Sequence, residues 1–150
     1  MVPMKVIRQY RTTSEAATEA VAAELLANAE PGEVFGLVGE LGAGKTIFVR
    51  GAVRAMGGDP ADVHSPTFTI MNVYRARLPV HHFDLYRITD ADDLESTGFF
   101  EFAGSGAVSL VEWADKIPAV MDELDFLVSI RLEDDRRGRV ITVSVPENGR

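Results

Sequence analysis

Apolar positions along this chain follow two periods, and their succession predicts an α/β fold. Val34-Phe35-Gly36-Leu37-Val38 is a short, unbroken apolar run of the kind found in strands buried on both faces. From Thr46 to Met56 apolar residues recur at helical spacing, and Gly57-Gly58-Asp59-Pro60 stops that helix. Upstream, Met4 to Tyr10 reads as a first strand with Met4, Val6 and Arg8 on one face. Thr12-x-x-Glu15 has the capping-box pattern and opens an Ala-rich helix to about Ala29, with Ala17, Val21 and Leu25 predicted to face the core.

The second half is richer in strands. Thr69 to Tyr74 and Val80 to Tyr86 are predicted to pair as a hairpin. Period two sets His81, Phe83 and Leu85 on one face and His82, Asp84 and Tyr86 on the other. Phe83 and Leu85 belong to the core. His81 and His82, adjacent on a strand, cannot both face one ion and are expected to be surface or structural residues. Asp90 is placed to cap a short helix containing Leu94, whose first-turn acids suit the helix dipole. Gly98-Phe99-Phe100-Glu101-Phe102 is a dense aromatic patch, assigned to the core. Ala107 to Val111 is apolar almost throughout, as a central strand should be, and runs into Glu112-Trp113. Residues 125–132 and 139–145 alternate apolar and polar around a charged 133–138 segment, which predicts a C-terminal β-hairpin with a solvated tip.

Between the second strand and its helix lies Gly39-Glu40-Leu41-Gly42-Ala43-Gly44-Lys45-Thr46, a full match to the phosphate-binding pattern G-x-x-x-x-G-K-[ST]. The pattern needs a strand before it and a helix after it, and both are predicted. Glycines let the backbone approach a ligand, so that successive N–H groups point at phosphate oxygens. The loop also feeds a helix N-terminus, which favours an anion. Lys45 is then expected to reach the β- and γ-phosphates, and the Thr46 hydroxyl to bind Mg²⁺.

Composition narrows the setting. At 150 residues a single domain spanning 1–150 is expected. Hydrophobic residues make up 46% and charged residues 25%, so a packed core rather than disorder follows. No apolar run approaches the ~20 residues of a membrane span, and the N-terminus lacks the apolar stretch of a signal peptide. A cytoplasmic protein is expected. The lack of cysteine excludes disulfides, thiolate zinc sites and a Cys nucleophile. A net charge of −8 argues against a broad grip on nucleic acid, so any RNA would be held by a partner.

Three further positions carry candidate chemistry. Glu112 follows a predicted central strand, and open α/β sheets bind ligands beyond the carboxyl ends of their strands. It is therefore the leading candidate for Mg²⁺ or an attacking water. Asp84 ends its own strand and can serve the same ion, although no four-residue apolar run precedes it. Thr67, in His64-Ser65-Pro66-Thr67-Phe68, can bring a hydroxyl to the γ-phosphate as switch loops do; the alternative is a turn set by Pro66. Trp113 either neighbours the nucleotide or packs at the rim.

Taken together, Gly-Glu-Leu-Gly-Ala-Gly-Lys-Thr (39–46), Ser-Pro-Thr-Phe (65–68), His-Phe-Asp-Leu-Tyr-Arg (82–87) and Glu-Trp (112–113) resemble the TsaE family, also called YjeE. The resemblance implies a P-loop NTPase-like α/β fold with a central mixed, largely parallel sheet flanked by helices. It implies an ATPase required for the threonylcarbamoyladenosine modification of tRNA. It also implies ATP and Mg²⁺ as cofactors and a TsaB–TsaD heterodimer as partner, reset by hydrolysis. On this resemblance the nucleotide-contacting set comprises Gly39, Glu40, Leu41, Gly42, Ala43, Gly44, Lys45, Thr46, Ile47, Thr67 and Trp113. Lys45, Asp84 and Glu112 are the catalytic candidates, and Thr46, Asp84 and Glu112 the metal candidates. Glu40 stands where the family commonly has Asp, and Ile47 where a second Thr often follows; neither supplies a ligand in the loop logic.

Hydrolysis at the γ-phosphate is the expected reaction, slow in isolation because no arginine is clearly placed as a finger. Rival readings are a small-molecule kinase, with Arg136, Arg137 and Arg139 as the lid candidates, and a docking module that needs no hydrolysis. A GTPase is disfavoured because no Asn-Lys-x-Asp motif occurs.

Overall fold

In the computed structural model, which describes residues 3–66 and 70–147, seven strands form one sheet. They are β1 (Met4–Thr12), β2 (Val34–Val38), β3 (Met71–Tyr74), β4 (Val80–Asp84), β5 (Val108–Glu112), β6 (Phe126–Leu132) and β7 (Arg139–Pro146). The order across the sheet is β1-β7-β6-β2-β5-β4-β3. The middle four strands run parallel, while β3 joins β4, and β7 joins β6 and β1, antiparallel. This is the expected α/β fold with a mixed sheet and a C-terminal hairpin.

Helices cover both faces. On one side α1 (Glu15–Leu26) and α2 (Lys45–Ala55) pack on Phe35, Leu37, Leu110 and Val128. On the other, α3 (Ala91–Ser96), α4 (Phe99–Phe102) and α5 (Pro118–Met121) pack near Val34, Phe83 and Val111. Alternate residues of β2 therefore enter different cores, which is why its sequence is apolar without a break. Among the described residues no helix is long and apolar enough to cross a membrane.

The chain order creates a crevice above β2. After β2 the chain passes to the β3–β4 side, and after β5 it crosses back to β6 on the other side of β2. Loops leaving the carboxyl ends of β2 and β5 thus diverge, the arrangement in which open α/β sheets bind ligands.

Several local expectations are corrected. Ser14, not Thr12, caps α1 by accepting the Ala17 N–H at 3.0 Å. Thr12 ends β1 and is buried, its hydroxyl 2.8 Å from that of Thr18. The helix stops at Leu26, and its buried stripe is Thr18, Val21, Ala22 and Leu26 rather than Ala17, Val21 and Leu25. Alanine occurs on every side of α1, so hydrophobicity alone does not choose the stripe. The aromatic patch divides: Phe99 is buried, whereas Phe100 and Phe102 are 40% and 42% exposed on the short α4. Asp90 does cap α3, accepting the Asp93 N–H at 2.7 Å.

Candidate functional site

The glycine loop leaves β2 and enters α2 under tight steric limits. Gly39 has φ +157°, and a Cβ there would lie 2.4 Å from the Ile130 carbonyl oxygen. Gly44 has φ +117°, and a Cβ would meet Arg139 Nε at 2.9 Å. Neither position accepts a side chain without displacing its neighbour. Arg139, at the start of β7, donates from Nε to the Ala43 carbonyl at 2.9 Å and so braces the loop.

Lys45 opens α2 and folds back under the loop. It is 5% exposed and donates to the carbonyls of Gly39 and Glu40, the latter at 3.4 Å. Its ammonium also sits 3.7 Å from the centre of the Trp113 ring, a cation–π contact. Burial pulls the Lys45 pKa below its ordinary value, and the charges of Glu112, Asp84 and Asp115 oppose that shift.

Parallel pairing of β4 and β5 sets Asp84 directly opposite Glu112. Two carboxylates thus stand side by side at the carboxyl ends of neighbouring strands. Burial pushes the Asp84 carboxyl above the usual range and the Glu112 charge adds to it; the Tyr86 N–H, His82 and Lys45 work the other way. That N–H donates to Asp84 Oδ1 at 3.0 Å. Glu112 is 3% exposed, and its Oε2 lies 2.5 Å from His82 Nε2. Thr46 Oγ1 is 3.1 Å from Ser65 Oγ. A cavity of about 280 Å³ is lined by Gly44, Lys45, Thr46, Ser65, Asp84 and Glu112, among others. A wider groove of about 710 Å³ lies across the loop, running from Leu41, Tyr86 and Trp113 to Ser129 and Arg131.

Trp113 adopts φ +61°, an uncommon conformation for a bulky residue. Its N–H donates to the Leu37 carbonyl at 3.0 Å, which pins the turn after β5. The indole then reaches both Lys45 and Tyr86, the latter with ring centres 5.0 Å apart.

The site therefore brings together Lys45, Thr46, Asp84, Glu112 and Trp113, while Thr67 lies outside the described residues. Ser65 is the member of that segment seen at Thr46. Of the two readings open for His82, surface or structural, the structure takes the second: the ring is fully buried, because β4 is covered on both faces, and both its nitrogens have partners. Period two had placed it on the Asp84 face, and that was the available signal. Nothing in the sequence marked Tyr74 or the brace from Arg139. Among the described residues no group of three or more His, Cys, Asp or Glu side chains is placed to hold a metal unaided. The hard oxygens of Thr46, Asp84 and Glu112 suit Mg²⁺, which binds through one or two carboxylates together with phosphate and water.

The family model described as threonylcarbamoyl adenosine biosynthesis protein TsaE matches residues 12–141. The chain belongs to the TsaE family. A Haemophilus influenzae protein named tRNA threonylcarbamoyladenosine biosynthesis protein TsaE is 39% identical over 102 residues, spanning 67% of this chain and 64% of its own length. A Bacillus subtilis protein of the same name is 39% identical over 131 residues, 86% of this chain and 81% of that one. The crystal structure of Bacillus subtilis YdiB superposes with a TM-score of 0.73 at 31% identity, covering 99% of this TsaE-family chain and 89% of YdiB.

Proposed function

We propose that this TsaE-family chain binds and hydrolyses ATP with Mg²⁺ as a component of tRNA threonylcarbamoyladenosine biosynthesis, working with a TsaB–TsaD pair. The observation that carries the reading is the in-register pair Asp84 and Glu112 sharing one cavity with Lys45 and Thr46. Loop N–H groups and Lys45 would hold the β- and γ-phosphates and stabilise charge on the transferring group. Thr46 and Asp84 would hold Mg²⁺, which when bound neutralises phosphate charge. The Asp84 oxygen left free by the Tyr86 N–H supports that role. Glu112, with one oxygen engaged by His82, has the other available to orient water.

Lys45 must exchange its present carbonyl partners for phosphate oxygens, and Arg139 is committed to the Ala43 carbonyl. That engagement withholds Arg139 from charge developing on the transferring group. Hydrolysis should therefore be slow alone and faster when a partner closes the site. Phosphate release from ATP, measured with and without the TsaB–TsaD pair, tests this. Strong stimulation is expected, and Glu112→Ala should lower the stimulated rate by about 10²-fold or more. A wild-type chain that the pair does not stimulate, or an alanine variant with full activity, would sink the reading.

A further inference from the structure

We propose that His82 and Tyr74 are positioning residues that fix the aim of Glu112 and tie it to the loop at His64 and Ser65. This deepens the hydrolytic reading and rests on it. The His82 ring is wholly buried between two partners: Nε2 stands 2.5 Å from Glu112 Oε2, and Nδ1 stands 2.8 Å from the Tyr74 hydroxyl. A carboxylate only accepts, so the network assigns the Nε2 proton to the side facing Glu112. With that proton on Nε2, Nδ1 is the nitrogen that faces the Tyr74 hydroxyl as acceptor.

The Tyr74 hydroxyl oxygen in turn accepts the His64 N–H at 3.4 Å, and it lies 3.0 Å from the His64 carbonyl. Asn72 Nδ2 donates to the same carbonyl at 3.0 Å, so it keeps a donor whichever way the tyrosine proton turns. The next residue, Ser65, reaches Thr46 at 3.1 Å. The loop thus touches the site twice, once at the Thr46 hydroxyl through Ser65 and once at Glu112 through His64, Tyr74 and His82. A buried network with its members satisfied holds one geometry. Displacement of the loop should therefore turn the Glu112 carboxylate as well as release Thr46.

The test uses the full chain with the TsaB–TsaD pair, ATP and Mg²⁺, and compares Tyr74→Phe, His82→Leu and His82→Gln. Loss of an outer hydrogen-bond partner should lower kcat by about 10–100-fold in Tyr74→Phe and His82→Leu, with KM changed by about twofold or less. His82→Gln, whose amide can donate to Glu112, should recover part of kcat. A merely space-filling histidine predicts the opposite ranking, since leucine fills an apolar pocket at least as well as glutamine. A folded Tyr74→Phe chain with wild-type kcat would overturn the proposal. If the wild-type chain hydrolyses nothing, the proposed function fails, and ¹H–¹⁵N spectra of the histidine rings decide this inference alone. Tyr74→Phe and Glu112→Gln must each move the His82 ring nitrogens, and Tyr74→Phe must speed amide exchange at His64. Ring nitrogens indifferent to both substitutions would overturn it.

Discussion

Asp84 shows how a residue's candidate role opposes its contribution to stability. Its carboxyl is raised above the usual range chiefly by burial and then by the neighbouring Glu112 charge. A carboxyl whose folded pKa exceeds its unfolded one stabilises the fold below the unfolded pKa and loses that contribution as pH rises through the folded one. Near neutral pH the charged Asp84 is thus a cost. Asp84→Asn keeps an acceptor for the Tyr86 N–H and removes the charge. It should stabilise the chain by about 1 kcal/mol at pH 7, a gain of roughly 2–4 °C in melting temperature. The gain should vanish below about pH 4, where the wild-type carboxyl is protonated in both states. Thermal melts across pH check this, and an Asn variant no more stable than wild type at pH 7 would count against it. At this scale Lys45, Thr46, Asp84 and Glu112 were legible because each is marked by a motif or by the end of an apolar run. His82 and Tyr74 were not, because their meaning comes from pairings across β3, β4 and β5 that no local pattern encodes.

Among the elements, α1 and α2 meet at a point the sequence conceals. Gly51 sits within α2, where alanine would ordinarily stabilise a helix by about 1 kcal/mol. Here a Cβ would lie 2.4 Å from the Glu19 carbonyl oxygen and 2.6 Å from its Cα, both backbone atoms of α1. The helices would have to separate, which loosens the contacts of Ala22, Phe48 and Ala52 in the same core. Overpacking of this kind costs about 1–3 kcal/mol, enough to outweigh the propensity gain. Gly51→Ala should therefore lower the denaturant midpoint, and a variant as stable as wild type would show that the helices are free to move apart. The existence of α2 was readable from its period and its glycine stop. Its partner face was not: a glycine inside a helix signals close approach only once the approaching backbone is known. The same limit explains the α1 stripe, where several alanines compete, and the outward turn of Phe100 and Phe102, since α4 is too short to bury every ring.

At the scale of the whole molecule, charge sets what this chain can hold by itself. Acidic residues number 23 against 15 lysines and arginines. Several of the bases are already paired: Arg8 with Glu24 at 3.5 Å, Arg11 with Glu133 at 2.7 Å and Arg54 with Glu19 at 3.6 Å. Exposed pairs such as these contribute little stability, but each lowers the positive potential that a nucleic-acid backbone would meet. Lys45 is buried, and Arg139 is engaged at the loop. The β1 edge carries Lys5, Arg8 and Arg11, but its register with β7 turns Arg8 and Arg11 to opposite faces and both are paired with glutamates, so they form no continuous basic track. Backbone affinity for nucleic acid grows with the number of phosphates neutralised, and its logarithm falls with the logarithm of salt by about 0.9 per contact on duplex DNA. With a net charge of −8 opposing the approach of a polyanion, labelled tRNA should bind the isolated chain more weakly than about 10⁻⁴ M near physiological salt, the weak end of non-specific binding. Fluorescence anisotropy over a salt series measures this directly. Micromolar binding by the chain alone, with a salt slope of several units, would show that one of its faces acts as an RNA surface despite the net charge.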